Sequence, residues 1–385
     1  MVSSRKLMHV LPVSAYTSQD WFDREQEQIF SRTWSYAGFA EDISEPGQYL
    51  SIQAGLNNIF VIMGRDHRLR AFHNICRHRG TQLLRAAGKS QKAITCPYHD
   101  WTYDLEGNLM SVPEERTEFR GLDKSCLGLK PASVDVWRSM IFVHPDPEAG
   151  SIMAWFGAVE PHLGPHKVDE LVEYAQARTA YEVKANWKIV VENYIDVYHL
   201  AHLHSGTLAQ YDHAKAQFGF VGPHYAFWEP LSADYAENLE ANAPTPLVLA
   251  PDEAGAWVPM LFPGIGLAES ESSWSTFIIT PLGPELTRVE NRMRVKNASR
   301  WAFQSQKWSS SSFWDNKIKG KYEPEDGAED PMTSGDFIAE DIYACEQQQK
   351  SLKSPYFEVG ASAEHTESPV RQHQQVVLDA LEGGL

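Results

Sequence analysis

Hydrophobic and polar positions alternate with different periods along the chain. Residues 18–32 have the period of a helix, with Ser18 as the expected N-cap and acidic residues in the first turn. After residue 36 the pattern changes to short β-branched and aromatic runs that are separated by turn signals. These runs lie at residues 49–52, 58–63, 69–74, 93–96, 101–103 and 137–143. They predict a small all-β domain.

Helix and strand patterns mix from residue 151 onward. Residues 187–203 and 336–352 have helical periodicity, whereas residues 275–281 and 289–295 predict strands of a larger antiparallel sheet. The whole pattern predicts an α+β chain in three parts: a helical segment at 1–35, an all-β domain at 36–150 and a larger mixed domain at 151–385. We expect the first segment to pack on the mixed domain.

Length, charge and cysteine usage narrow the functional classes. A chain of 385 residues exceeds what one core usually holds, and a net charge of −17 argues against nucleic acid and anionic membranes as partners. Residues 7–13 are too short an apolar run for a signal peptide, and residues 254–268 contain two prolines and cannot span a bilayer. Cys126 and Cys345 are expected to be buried thiols rather than a disulfide. We therefore expect a cytoplasmic protein.

Two short arms in the all-β region each combine one cysteine with one histidine. Cys76 precedes His78, Cys96 precedes His99, and seventeen residues separate the two arms. Zinc also accepts two Cys and two His, but its usual sites place both Cys in one arm. One Cys and one His in each arm suit a two-iron cluster in which the Cys pair binds one iron and the His pair the other. We interpret the motif as a Rieske-type [2Fe–2S] site, with structural zinc or chance proximity as the alternatives.

A second group of titratable side chains lies between residues 186 and 204. Glu192, Asp196 and His199 follow at steps of four and three residues, so they share one face of a helix. On an otherwise apolar helix these groups are costly unless they are paired or bound to metal. His199 and His204 are five residues apart and can meet on one ion only if the helix ends or distorts between them. The alternative is a group of histidines that are merely solvated or packed in the core. The [2Fe–2S] site at residues 76–99 favours a metal site here, because the electrons of a redox cluster need an acceptor.

Together the two motifs resemble the α subunit of the Rieske non-haem iron oxygenases, also called aromatic-ring-hydroxylating oxygenases. The pattern Cys-x-His-x17-Cys-x2-His spans residues 76–99, and Asp-x2-His-x4-His spans residues 196–204. The flanking residues 186–188 and 192–193 match as well. The resemblance implies an N-terminal Rieske domain, a catalytic domain of the helix-grip type with an antiparallel sheet, and a mononuclear Fe(II) held by two histidines and one carboxylate.

The resemblance also implies the iron ligands. By the motif, His199 and His204 are the imidazole ligands, and the family places the carboxylate in an acidic pair on a late helix. Glu340 and Asp341 form the matching pair. Asp341 shares a helical face with apolar side chains, so we expect it to point inward and to be the ligand, with Glu340 solvated and Asp336 as the weaker fallback. The resemblance assigns no role to His202.

Asp196 is the other residue of consequence. In the family, an acid at this position hydrogen-bonds one iron-bound histidine and a cluster-bound histidine of the neighbouring subunit. This arrangement implies a ring-shaped trimer, α3 or α3β3. Asn193 and Glu192, which also match the family, complete the candidate catalytic residues. An acid in a simple ion pair or near a helix end is the alternative for Asp196.

The resemblance implies a terminal oxygenase component with O2 as co-substrate. Nothing in the chain looks like a nicotinamide or flavin site, so electrons from NAD(P)H must arrive through a separate reductase, alone or with a ferredoxin. The family's commonest chemistry favours hydroxylation of an aromatic compound. The alternative is oxidative demethylation of a choline-, betaine- or carnitine-like amine or of an aryl methyl ether, and the aromatic residues of 217–228, expected to line the pocket, suit either class. A Rieske electron carrier without catalysis is the remote alternative.

Overall fold

A computed structural model describes residues 8–89, 92–243, 245–299 and 330–384. The chain divides into two compact units. Arg24–Gly157 forms the smaller unit, and Met1–Asp23 together with Ala158–Leu385 forms the larger one. Within the described residues, no helix combines the length and the apolar character that a membrane span requires.

The smaller unit is built from antiparallel strands. These are β1 (Ser35–Phe39), β2 (Gln48–Ala54), β3 (Asn57–Met63), β4 (Leu69–His73), β5 (Ala87–Lys89), β6 (Ile94–Thr95), β7 (Thr102–Tyr103), β8 (Leu109–Ser111), β9 (Pro131–Trp137) and β10 (Met140–His144). Seven of them form one sheet in the order β1-β10-β9-β4-β3-β2-β5, and the other three form a small sheet in the order β6-β7-β8. The predicted all-β character of this region is confirmed.

Strand β3 is buried on both faces, which explains its continuous apolar run. Ile59 and Val61 belong to one core, Phe60 and Ile62 belong to another, and all four side chains are fully buried. The core around Phe60 also contains the two motif cysteines. The loops that carry the cysteines are therefore anchored on a fully buried core of the unit.

Two expectations for this unit are wrong. The run 137–143 is not one strand, because the chain turns at Arg138 and Ser139, which have φ values of +49° and +60° and join β9 to β10 as a tight hairpin. Neither residue is the Gly or Asn that normally marks such a turn, so the turn could not be predicted from the sequence. Cys126 is exposed at the end of a surface turn that is capped by Asp123, whereas Cys345 is buried as expected.

The larger unit contains a nine-stranded antiparallel sheet. Its strands are β11 (Val172–Glu173), β12 (Thr179–Val183), β13 (Gln217–Val221), β14 (His224–Pro230), β15 (Gly255–Trp257), β16 (Met260–Leu261), β17 (Ile265–Glu269), β18 (Trp274–Gly283) and β19 (Leu286–Val295). The main path is β11-β19-β18-β17-β15-β14-β13, while β12 pairs with β19 and β16 pairs with β14 and β17. The predicted strands at 275–281 and 289–295 are the two longest of this sheet.

Helices complete both units. In chain order they are α1 (Gln19–Glu25), α2 (Glu115–Glu118), α3 (Ile152–Phe156), α4 (Trp187–Ile195), α5 (Leu200–Leu203), α6 (Ala233–Glu237), α7 (Leu239–Asn242), α8 (Phe337–Ser351) and α9 (Ser368–Leu381). A π-helical turn, Gln26–Phe30, continues α1. In the larger unit α4 contacts strands of the sheet on one side and α8 and α9 on the other. Helix α4 is therefore the central element of this unit.

A buried polar network fixes α4 through the side chain of Glu192. The Tyr16 hydroxyl donates a 2.6 Å hydrogen bond to Glu192, and the Gln374 side-chain amide of α9 donates to both of them at 3.0 and 3.2 Å. The Lys188 ammonium lies 5.3 Å from the centre of the Tyr16 ring. On α8, the Gln349 side chain donates to the Tyr16 carbonyl at 3.1 Å. Segments that are far apart in sequence are thus joined around one carboxyl group.

This network makes stability depend on pH through Glu192. Burial raises the pKa of its carboxyl from 4.5 to about 7, although hydrogen bonds from Tyr16 and Gln374 and the charge of Lys188 act in the opposite direction. Because the folded state then holds the proton more tightly than the unfolded state, the stabilisation is complete below pH 4.5. It is lost as the pH rises through 7, by about 1.4 kcal/mol per pH unit.

We expect Glu192→Gln to lack this dependence. Between pH 5 and pH 8 the urea-unfolding free energy of the wild type should fall by about 3 kcal/mol relative to that of the variant. Glu358→Gln removes an exposed carboxyl and serves as the control, which should follow the wild type. Parallel pH profiles for the wild type and Glu192→Gln would contradict the assignment.

Candidate metal centres and substrate cavity

The two Cys-His arms form loops of the same construction in the smaller unit. The first loop follows β4, and its Cys76 carbonyl accepts a 3.0 Å hydrogen bond from the Gly80 amide. The second lies between β6 and β7, and its Cys96 carbonyl accepts a 3.1 Å bond from the Asp100 amide. Gly80 and Asp100 both have positive φ, which closes each loop. Each arm is thereby held in a tight turn with its cysteine at the base.

The structure brings the four predicted cluster residues together. Both cysteines are 2% exposed, and the ring centres of His78 and His99 are 4.7 Å apart. Burial raises the pKa of the Cys76 thiol, and it lowers the pKa of His78, which favours the neutral imidazole that binds metal. The Nδ1 atom of His78 is buried and has no hydrogen-bond partner among the described residues. Two cysteine thiols beside two imidazoles fit the donor set of a Rieske [2Fe–2S] cluster.

Residues that the sequence reasoning missed support these loops. The Tyr103 hydroxyl lies 3.4 Å from the Cys76 sulfur and accepts a 2.9 Å hydrogen bond from the Arg77 amide. The Asn74 side chain accepts from the amides of Leu83 and Leu84 and donates back across the loop. From the sequence, Tyr103 could have been suspected because it lies in the predicted strand directly after the second arm. No local pattern points to Asn74. Polar groups at a cluster sulfur tune its electronic properties.

In the larger unit, the helix that carries the second motif ends where the metal-site hypothesis requires. Asn186 caps α4 by accepting the Lys188 amide at 3.0 Å, and the helix stops at Ile195 because Asp196 has extended backbone angles. His199 and His204 flank the short helix α5 on its two sides. The distortion that their five-residue spacing demands is therefore present.

His199, His204 and Asp341 converge in space. One ligand atom from each lies within 4.8 Å of the others. Asp341 Oδ1 is 3.0 Å from His204 Nε2 and 3.7 Å from His199 Nε2. Two imidazoles and one carboxylate are the donor set of non-haem Fe(II) sites, so the residues present fit such an ion. Asp341 belongs to α8, which brings a carboxylate to the two histidines of the motif.

Glu340 differs from expectation. It is 3% exposed rather than solvated, and its Oε2 accepts a 2.8 Å hydrogen bond from His204 Nδ1 and a 3.1 Å bond from the Thr207 hydroxyl. The expectation of a solvated Glu340 is wrong because α8 packs against more than one neighbouring element, α4 and β12 among them. Burial by itself lowers the pKa of His204, but the hydrogen bonds to Asp341 and Glu340 outweigh it and raise that pKa to about 9. Glu340 and Asp341 thus contact the two ring nitrogens of His204, Nδ1 and Nε2 respectively.

The three candidate catalytic residues lie in different environments. The Asn193 side chain donates to Asp341 Oδ1 at 3.2 Å, so it contacts the group of converging side chains. Asp196 Oδ2 lies 3.3 Å from His199 Nδ1, and its other oxygen accepts the Tyr198 amide at 2.7 Å. Glu192 instead faces the buried network behind α4, and the structure gives it no contact with the three converging side chains.

A cavity of about 520 Å³ adjoins the converging side chains. Its wall includes His199, His204 and Asp341, and it extends along strands of the sheet. Of the aromatic residues in 217–228, Tyr225 and Phe227 line it, whereas Phe218, Phe220 and Trp228 do not. A cavity of this size suits a small organic molecule next to a metal ion.

Comparison with known families agrees with both halves of this arrangement. Residues 170–383 match the family described as "Ring hydroxylating alpha subunit (catalytic domain)", and residues 33–131 match the "Rieske [2Fe-2S] domain". The first match alone covers more than half of the chain. The resemblance inferred from the two motifs is confirmed.

Curated relatives carry related names. The glycine betaine monooxygenase oxygenase subunit of Chromohalobacter salexigens is 31% identical over 245 residues, which are 61% of this chain and 54% of that protein. The carnitine monooxygenase oxygenase subunit of Escherichia coli is 31% identical over 227 residues, 55% of this chain and 59% of that protein. Chloroplastic choline monooxygenase of Spinacia oleracea is 28% identical over 364 residues, 91% of this chain and 74% of that protein. The chain spans about half the length of the first of these relatives.

Solved structures share the fold. A quaternary ammonium Rieske monooxygenase superposes with a TM-score of 0.74 at 22% identity, covering 98% of this chain and 95% of the other. A naphthalene 1,2-dioxygenase superposes with a TM-score of 0.70 at 20% identity, covering 98% and 93%. With a Rieske domain followed by the catalytic domain of a ring-hydroxylating α subunit, the chain belongs to the Rieske non-haem iron oxygenases, which carry a [2Fe–2S] cluster and a mononuclear iron.

Proposed function

We propose that the protein is the oxygenase component of a monooxygenase that oxidises a quaternary or methylated amine. The observation that carries the proposal is the shared character of the relatives, whose names specify glycine betaine, carnitine and choline. From the family's commonest chemistry we expected an aromatic compound, with amines of this class as the alternative, and the names of the relatives favour the alternative. Acidic and aromatic side chains in the cavity wall also suit a cationic amine.

The proposal assigns the metal-binding residues. Cys76 and Cys96 with His78 and His99 would hold the cluster, and His199, His204 and Asp341 would hold the iron. When bound, the two centres supply O2 activation, driven by electrons from NAD(P)H that arrive through a separate reductase or ferredoxin. The chain itself fixes the donors: Glu340 holds one nitrogen of His204 and Asn193 holds Asp341, so both side chains are oriented before an ion enters.

Asp196 is proposed to join the two kinds of centre between subunits. One carboxylate oxygen lies beside His199, so this side chain can receive a second imidazole from a neighbouring chain while it stays near an iron ligand. Such a link requires a closed ring of subunits, which is the trimer that the family resemblance implies, α3 or α3β3. We further propose that the protein acts in the cytoplasm, where a reductase has access to NAD(P)H.

The ligand assignment predicts a specific change in iron content. A fully loaded chain should hold about three irons, two in the cluster and one mononuclear. His204→Ala and Asp341→Ala should each lower this to about two, as measured by mass spectrometry of the metal, while the electron paramagnetic resonance signal of the reduced cluster persists. His202→Ala removes an exposed histidine of the same segment and should leave about three irons. Full iron content in Asp341→Ala would contradict the assignment.

The role of Asp196 predicts a different combination of results. Asp196→Asn should retain about three irons per chain and a reducible cluster, yet lower substrate-dependent NADH oxidation at least tenfold, because the carboxylate no longer joins the centres. Asp234→Asn, which changes an exposed acid on α6, is the control. Unchanged turnover in Asp196→Asn would refute the bridging role. Loss of one iron would assign Asp196 to the support of His199 instead.

The substrate class is tested by turnover. The purified protein is supplied with a reductase and NADH, and O2 uptake is followed with choline, glycine betaine, carnitine and a panel of aromatic acids and hydrocarbons. We expect uptake with at least one of the amines, together with formaldehyde or another product of oxidation at a carbon next to nitrogen. Hydroxylated rings formed from the aromatic panel, without uptake for any amine, would contradict the proposal.

A further inference from the structure

The charge of the cavity wall is strongly one-sided. Five carboxylates line the cavity, and no Lys or Arg is found among its described lining residues. The five acids are Asp196, Glu229, Glu269, Glu271 and Asp341. The only imidazoles in the described wall are His199 and His204. An anionic substrate would be repelled by this wall, whereas a cation would be attracted.

Four of these acids already have partners that explain them. Asp196 adjoins His199 and Asp341 adjoins His204. Glu229 accepts a 2.8 Å hydrogen bond from His213 Nδ1. Glu269 accepts from the Trp274 indole at 2.8 Å and from the Gly164 amide. Glu271, like Glu269, has only neutral donors, but two of its donors are tyrosine hydroxyls whose side chains also line the cavity.

Glu271 lies in the turn between β17 and β18, and its backbone is firmly held. Its carbonyl accepts the amides of Val248 and Leu249 at 2.8 and 3.3 Å. The residue is 2% exposed, and its carboxylate receives only neutral donors. These are its own backbone amide and the hydroxyls of Tyr235 at 3.0 Å, Ser272 at 3.2 Å and Tyr211 at 3.5 Å. No cationic side chain in the described part of the chain pairs with it. A buried carboxylate without a counter-charge is costly, and burial accordingly raises the pKa of Glu271.

A second observation in the same wall points to a ligand. The Tyr225 hydroxyl is buried in a side chain that is 2% exposed, and it has no hydrogen-bond partner among the described residues. The side-chain oxygen of Asn291, 6% exposed, is unpartnered in the same sense. Both residues line the cavity. Buried oxygens that lack partners in the protein are expected to meet a bound molecule or water.

We propose that Glu271, together with the rings of Tyr211 and Tyr235, forms the subsite that receives the ammonium group of the substrate. This inference rests on the proposed function and names the residue that selects its substrate. The carboxylate supplies the counter-charge, and the two tyrosines supply both the hydroxyls that orient the carboxylate and ring faces for the methyl groups. The subsite takes the cationic end of the molecule and leaves its other end toward the remainder of the cavity.

The test compares choline with 3,3-dimethylbutan-1-ol, which has the same shape but a neutral carbon in place of the charged nitrogen. Binding of each compound to the full iron-loaded protein is measured by titration calorimetry, and the rise in melting temperature is measured in parallel. We expect the wild type to bind choline at least tenfold more tightly than the neutral analogue. Glu271→Gln should reduce this preference at least tenfold and change the affinity for the neutral analogue less than about threefold.

Glu237→Gln is the matched control, because it makes the same chemical change at an exposed position outside the cavity wall. It should keep the full preference for choline. A Glu271→Gln variant that still prefers choline would overturn the subsite while leaving the proposed function intact. A wild type that binds choline no more tightly than the neutral analogue would also overturn the subsite, and this measurement does not depend on whether the variant folds. The proposed function itself is decided separately, by the turnover panel of amines and aromatic compounds. The melting temperature of Glu271→Gln without ligand should equal or exceed that of the wild type, since the variant removes an uncompensated charge.

Discussion

The site in the larger unit depends on the interruption of a helix. A continuous helix through residues 187–204 would place His199 and His204 on different faces, because five residues exceed one turn by more than a third. The extended backbone of Asp196 ends α4 and allows α5 to start in a new direction. Both imidazoles then reach Asp341, which α8 brings from nearly 140 residues further along the chain. Without the break, the same residues would form no common coordination sphere.

Carboxylates surround this break, and their environments separate their roles. Asp341 and Glu340 are neighbours in sequence but approach opposite nitrogens of one imidazole. Glu192 lies on the same helix as Asn193 yet faces an enclosed network in which its proton is held to near neutral pH. Glu271 lines the cavity and has only neutral hydrogen-bond donors. Burial raises the free energy of every one of these charges, so the chemistry of each is decided by the partner it meets.

The sequence predicted the parts of the site that depend on local spacing. The two Cys-His arms were identified from their separation. The family resemblance pointed to the acidic pair at 340–341, and the apolar face of α8 then favoured Asp341 over Glu340. The missing parts depend on contacts between distant segments. Tyr103 reaches Cys76 from another strand, Glu340 is covered by neighbours that a helical wheel does not represent, and Glu271 lies in a turn without a motif. The hairpin at Arg138 was not predicted for a local reason, since Arg and Ser rarely adopt the left-handed backbone conformation that forms this turn.

The network behind α4 has a consequence for mutational tolerance. Tyr16 and Gln374 do not line the cavity, yet both hydrogen-bond the carboxyl group of Glu192 on α4. The next residue of that helix, Asn193, donates a hydrogen bond to Asp341. If variants of the protein are selected for activity, variants with substitutions at Tyr16 or Gln374 should therefore be lost as often as variants with substitutions in the cavity wall. These two residues would then be classed as functional, although what they contribute is the alignment of one helix.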